Sequence, residues 1–271
     1  IAGENELRTG GIRVPDSSAL TVVGDGNLTI NLNSGKYYGI GNSLDEYNGE
    51  LNFYQDGGII INANGMKGIG IGSGLGGVIN IKRGHYEFDM KGQEGACIGS
   101  VNGDSELFIE YCDMDIYSGI SNGTIIGSVN GDADIKLENV SAKLQGAGNV
   151  ITGIGTIAGN SCMVRLENVN ISSNIRAKEC YGIGCRAGRT DIYIGYAAVK
   201  SVVQGKAAVA FGNSIMSAKL YCSNADVGTN AVTEFNSDIG ALEKNIQLEN
   251  GRAEFILNGQ EVKRQILAAR L

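Results

Sequence analysis

The seven residues IGSVNGD occur at Ile98–Asp104 and return unchanged at Ile126–Asp132, 28 positions later. A fixed period of about 20–50 residues constrains architecture more than any single motif, because each unit must stack on its neighbour to bury a core. Apolar residues placed just before a glycine, or its substitute, extend the repeat in both directions. They are Ile12, Ile40, Ile71, Ile98, Ile126, Ile154, Ile183, Phe211 and Ile239, at spacings of 28, 31, 27, 28, 28, 29, 28 and 28. Nine units at one period cover nearly all of the 271 residues.

Inside each unit the apolar period is two, the signature of strands with one buried face. Ile79-x-Ile81, Leu107-x-Ile109, Ile135-x-Leu137, Val164-x-Leu166, Ile192-x-Ile194, Leu220-x-Cys222 and Ile246-x-Leu248 mark a first strand. Leu28-x-Ile30, Phe88-x-Met90, Met114-x-Ile116, Val169-x-Ile171 and Phe255-x-Leu257 mark a second, and the anchor residue a third. Three short strands per turn, repeated nine times, predict an all-β chain: a parallel β-helix over residues 1–259. Equivalent residues then stack about 4.8 Å apart, and the crossover preference makes the winding right-handed. The glycine after each anchor is expected where a Cβ would block a sharp bend or a close backbone approach. Asn139 and Asn168, in KLENV and RLENV, are expected at one corner, bonding to each other or to the turn. GQEVKRQILAARL loses the alternation and gains helix formers, which predicts a capping helix over 260–271. Because IAGENELRTGGIRV opens inside the repeat pattern, the chain reads as part of a longer polypeptide.

Composition narrows the function classes. With 42 glycines and one proline the chain is neither collagen-like nor a disordered linker. A net charge of −7 argues against the basic footprint of a nucleic-acid binder and against an anionic membrane surface, and no apolar run is long enough for membrane insertion. Gly72-x-Gly74-x-x-Gly77 and Gly182-x-Gly184-x-x-Ala187 resemble a dinucleotide fingerprint, but no helical pattern follows either, so both read as repeat corners. Cys97, Cys112, Cys162, Cys180, Cys185 and Cys222 show no zinc spacing, and no two share a column in adjacent coils. Free, buried thiols are expected, with a lean toward a reducing setting. His85 is the only histidine and has no partner for a triad or a metal centre. Asp104 and Asp132 offer two carboxylates against the about 6–8 oxygens that calcium takes. Neither a cofactor, a metal nor a catalytic residue set is expected.

Repeat phase also predicts which outward residues stack. One column reads Phe108, Lys136, Arg165, Tyr193, Tyr221. On one side runs Glu110, Glu138, Glu167, then Gly195 and Ser223; on the other, Glu106, Asp134, Met163, Asp191. Two readings stay open. The columns compensate one another as a solvated face, through exposed salt bridges worth about 0.2–1 kcal/mol each. Alternatively Phe108, Lys136, Arg165, Tyr193, Tyr221, Glu110, Glu138 and Glu167 form a shallow ligand-binding groove for an extended polar molecule such as a glycan. Stacked glutamates one strand spacing apart also approach the about 5–5.5 Å of a retaining glycosidase pair, as any stacked acids on a β-helix do.

YGIGN, GIGIGSGLGG, ACIGSVNG and ITGIGTIAG, each followed by x-I-x-I strands, resemble the glycine-rich β-helix repeats of bacterial cell-surface, adhesin-like proteins over about residues 10–215. GIRVPDSSALTVVGDGNLTI resembles their opening unit. The wider fold is similar to that of pectate lyases and polygalacturonases, whose calcium-binding aspartate clusters and catalytic motifs have no counterpart here. The resemblance implies a β-helical recognition or adhesion module of a surface protein, presenting a rigid face to a glycan or protein outside the cell. A structural spacer, a cytoplasmic sensory or interaction domain, and a polysaccharide lyase or hydrolase are the alternatives.

Overall fold

The computed structural model describes residues 1–8, 10–214, 216–235 and 246–267. Its strands follow one another as β1 (Glu4–Leu7), β2 (Ile12–Arg13), β3 (Ala19–Gly24), β4 (Asn27–Leu32), β5 (Lys36–Gly41), β6 (Glu50–Asn64), β7 (Lys67–Ser73) and β8 (Gly76–Ser100). Short and long strands then alternate: β9 (Asp104–Glu110), β10 (Cys112–Ser128), β11 (Ala133–Glu138), β12 (Ser141–Thr156), β13 (Ser161–Glu167), β14 (Asn170–Cys185), β15 (Arg189–Gly195), β16 (Ala198–Gly212), β17 (Ala218–Ser223) and β18 (Asp226–Phe235). Last come β19 (Ile246–Glu249), β20 (Gly251–Leu257) and β21 (Gln260–Leu267).

Strands β1 to β20 pair in parallel with their equivalents one coil away, and the expected anchors lie in one ladder. Ile12 pairs with Ile40, Ile40 with Ile71, Ile71 with Ile98, Ile98 with Ile126, Ile126 with Ile154, Ile154 with Ile183, and Ile183 with Phe211. The fold is a parallel β-helix. Its described anchors number eight rather than nine, since Ile239 lies outside the described residues. Eight stacked coils span about 34 Å at the strand spacing.

The identical heptapeptides have an explanation residue by residue. Ile98 and Ile126 are fully buried in the main core. Gly99 and Gly127 stack so closely that a Cβ on Gly99 would lie 1.9 Å from the carbonyl oxygen of Gly127. The hydroxyls of Ser100 and Ser128 both donate to the carbonyl of Gly103. Val101 and Val129 join Leu44, Ile69 and Ile157 in a second, smaller core beneath this corner. Asn130 donates to Asn102 Oδ1 at 3.3 Å, a Cβ on Gly131 would meet the Gly103 carbonyl at 2.1 Å, and the Asp132 amide donates to Asp104 Oδ1 at 2.8 Å. Each position thus has the same role in both coils.

The anchor glycines obey one rule. Gly41, Gly72, Gly99, Gly127, Gly155 and Gly184 have φ between 129° and 140°, and at each a Cβ would approach the next glycine's carbonyl oxygen to 1.9–2.0 Å. The backbone there both takes a conformation closed to L side chains and leaves no room for one.

Two expectations need correction. The three short strands expected per coil become two over most of the rod, because β10, β12, β14 and β16 each run unbroken through the bend between the second strand and the anchor. From Cys112 to Ile126 no residue has a positive φ, so that bend is spread over extended residues and parallel pairing continues across it. Only the other two corners break the chain. The capping helix expected over 260–271 is instead β21, antiparallel to β20, with 268–271 outside the described residues. Asn258 (φ 48°) and Gly259 (φ 80°) form a two-residue turn with both φ positive, the turn that Asn-Gly favours in hairpins. The hairpin strand closes the free edge of β20, as the expected helix would have closed the end of the rod.

Gly228 supplies an internal control for the glycine rule, since a Cβ there meets nothing within 4 Å. Gly127→Ala is expected to destabilise the fold by more than about 3 kcal/mol, combining a forbidden φ with a backbone clash. Gly228→Ala is expected to be neutral or slightly stabilising. Chemical denaturation monitored by circular dichroism compares the two.

Candidate functional site

The outward columns lie in the register expected of them. Phe108, Lys136, Arg165, Tyr193 and Tyr221 are consecutive partners across β9, β11, β13, β15 and β17. Glu110, Glu138, Glu167, Gly195 and Ser223 form the adjoining column, and Glu106, Asp134, Met163 and Asp191 the one on the other side. The column continues to Asn80 above Phe108 and to Gln247 below Tyr221.

Chemically the stripe divides in two. In its N-terminal half three carboxylates, Glu110, Glu138 and Asp134, are each paired with a cation. Lys82 meets Glu110 at 3.0 Å, Lys136 meets Glu138 at 2.6 Å, and Arg165 meets Asp134 at 2.7 Å. The hydrogen bond that Lys136 donates to Glu138 raises the pKa of its ammonium. Further along, Arg189 holds Asp191 at 3.0 Å. Phe108, half-buried, lies among these pairs. This half is the self-compensating surface.

In the C-terminal half the Tyr193 and Tyr221 rings stack at a centroid distance of 4.9 Å, 6° from parallel. Beside them the column of side chains drops away to Gly195, buried, and Ser223. The Glu167 carboxylate leans over that gap, so that a Cβ on Gly195 would lie 2.1 Å from Glu167 Oε2. Glu167, Tyr193, Gly195, Tyr221, Ser223 and Glu249 line a cleft of about 340 Å³. Thus of the eight candidate residues, Tyr193, Tyr221 and Glu167 come together in a cleft; Phe108, Lys136, Arg165, Glu110 and Glu138 belong to the compensated half.

A feature absent from the sequence reading lies at the next corner. Tyr111, Asn139, Asn168, Tyr196, Asn224 and Asn250 succeed one another coil by coil, all with φ between 46° and 54°. Asn168 donates to Asn139 Oδ1, as expected for that pair. Asparagine tolerates this left-handed conformation, whereas a bulky side chain there is strained. Tyr111 and Tyr196 are nonetheless tyrosines, 61% and 64% exposed, and they bracket the asparagine pair. Tyr196 follows Gly195 directly in the chain, while the cleft itself is lined by Tyr193 and Tyr221. The 28- and 29-residue spacing from Asn139 to Tyr111 and from Asn168 back to Asn139 already places all of them in one column.

Other sequence features resolve structurally. Asp132 Oδ1 accepts from the amides of Asn160 at 2.6 Å and Ser161 at 3.0 Å, so the aspartates of the Asn-Gly-Asp corners cap the following coil. Among the described residues no group of three or more Asp, Glu, His or Cys gathers as a metal site. The stretch from Gly72 to Gly77 joins two strands, β7 and β8. His85 is exposed on β8.

All six cysteines are free and buried, and Cys185 occupies the corner position held by Ser100, Ser128 and Thr156. Burial pushes the Cys97, Cys112 and Cys222 thiols up to about 12 and Cys180 and Cys185 up to about 11, with Cys162 raised well above its usual value. A thiol of this kind is a protonated packing group rather than a nucleophile.

The chain matches no family model, no curated protein and no solved structure.

The raised thiol pKa values carry a pH dependence. Above about pH 8.5 the unfolded chain loses thiol protons that the folded chain keeps, so stability is whole below that pH and falls as pH rises toward 11–12. Each thiol contributes about 1.4 kcal/mol of loss per pH unit in that window. Urea midpoints measured at pH 7, 9 and 10 are expected to decline accordingly, and a thiol-reactive dye at pH 8 is expected to label only unfolded protein.

Proposed function

We propose that this chain is a non-catalytic recognition module, a rigid β-helix that presents one face to a glycan. The observation that carries the reading is the Tyr193–Tyr221 stack beside a cleft whose two carboxylates meet no cation among the described residues, on a face where Lys136 and Arg165 are each paired with a carboxylate. Aromatic rings give apolar contact to sugar rings, and the bordering carboxylates accept hydrogen bonds from hydroxyls. In this reading the module belongs to a bacterial surface protein. The self-compensated half of the stripe favours a second reading, in which the rod is a spacer and its surface serves only solubility.

A glycan-array screen of the wild-type chain separates the two, run beside the Tyr193→Ala, Tyr221→Ala double variant, with and without calcium. Binding that falls by at least about tenfold in the double variant, a loss of about 1.4 kcal/mol, supports recognition at this cleft. An array without binding favours the spacer. Binding untouched by the double variant places any recognition elsewhere on the rod.

A further inference from the structure

Glu110, Glu138 and Asp134 each meet a cation at 2.6–3.0 Å. The two carboxylates that border the tyrosine cleft, Glu167 and Glu249, meet none among the described residues. Among the described residues the cleft lining therefore holds two formal negative charges and no positive one. The net charge of −7 adds a field of the same sign over longer range.

The local geometry makes that charge usable. Gly195 leaves its place in the column empty, and the Glu167 carboxylate settles into it, low against the sheet and beside Tyr193. An ammonium group entering there meets a carboxylate on one side and the tyrosine wall on the other. Such a charge-assisted hydrogen bond is about twice as strong as a neutral one. Glu167 and Glu249 stand in one column, three strand spacings apart along the rod, about 14 Å, which suits an oligosaccharide segment rather than a single ring.

We infer that the cleft binds the protonated amino groups of a glycan containing free amino sugars. This rests on the recognition reading above and narrows it from glycans in general to cationic ones. An extended peptide rich in lysine would carry the same charge, but it lacks a place to add as a strand. β15 is paired on both sides, to β13 and β17, and β17 to β15 and β19, so the face offers no open backbone edge of the kind that strand addition needs.

Titration calorimetry on the intact chain tests the inference with three probes: a glucosamine oligomer, its fully N-acetylated counterpart and a lysine hexapeptide, at a pH where the amines are protonated. The glucosamine oligomer is expected to bind at least about tenfold more tightly than the acetylated one, and Glu167→Gln to remove about tenfold of its affinity, the size of a hydrogen bond to a charged group. Added salt is expected to weaken the same interaction. Glu167→Gln is an exposed change, and an unaltered thermal melt verifies that it leaves the fold intact. Equal binding of the two oligomers, or an unchanged affinity in Glu167→Gln, overturns the amino-sugar inference. The recognition reading then stands if the tyrosine double variant still abolishes binding. Hexapeptide binding without oligomer binding overturns the glycan as the source of the amine. No binding of any probe overturns the inference, and a blank glycan array beside it removes the recognition reading as well.

Discussion

The rod depends on how closely the backbone can stack at the anchor corner. Six successive glycines bring each carbonyl oxygen to within about 2 Å of where the previous coil's Cβ would be. That approach fixes the register of the whole repeat, because a slip of one residue would bring a side chain into a space that admits none. The anchor isoleucine beside each glycine then falls inward in every coil, and the alternation on either side carries the remaining apolar residues in with it. The polar corner follows from the same register. Serine or threonine after the glycine donates into the turn, and the aspartate receives the next coil's amide.

A scaffold so constrained leaves its outward positions free to vary, and they vary in a pattern. Over the N-terminal part of one face each cation finds a carboxylate on a neighbouring strand or two residues away. Exposed pairs of this kind add little stability singly, but they prevent stacked glutamates from repelling one another at the strand spacing. Past Arg165 the pattern continues only with Arg189 and Asp191. There the columns also carry two stacked tyrosines, a glycine and two carboxylates that meet no cation among the described residues, and the corner beside them holds a tyrosine where asparagine fits better. A change of chemistry along an unchanging backbone is where a repeat protein has room for function.

Much of this was legible in the sequence, and the reason is the repeat itself. A fixed period turns sequence position into spatial position, so the order Phe108, Lys136, Arg165, Tyr193, Tyr221 could be read as a column from spacing alone. The Asn139–Asn168 pair was legible for the same reason, and Tyr111 and Tyr196 share that spacing, though only their positive φ reveals that they stand in strained places. The C-terminal hairpin carried a signal too, the Asn258–Gly259 turn, which the helix-forming composition of the residues after it obscured. The bend inside β10 and its equivalents left no such mark, since extended residues of many types can share a gradual turn.

The sequence by itself determined period, register, inward and outward faces and the need for glycine at the anchor corner, because these follow from local periodicity and backbone sterics. What only the tertiary structure decided is which outward charges cancel. Lys136 lies between a column that holds Glu110 and Glu138 and one that holds Asp134, and Arg165 lies between Asp134 and Glu167, and phase cannot say which way a long side chain turns. In the fold Lys136 meets Glu138 and Arg165 turns to Asp134. Glu167 is thereby left to lean over Gly195 beside the tyrosines. Side-chain direction depends on the nearest competing charge and the free space beside it, and both exist only once the coils are stacked.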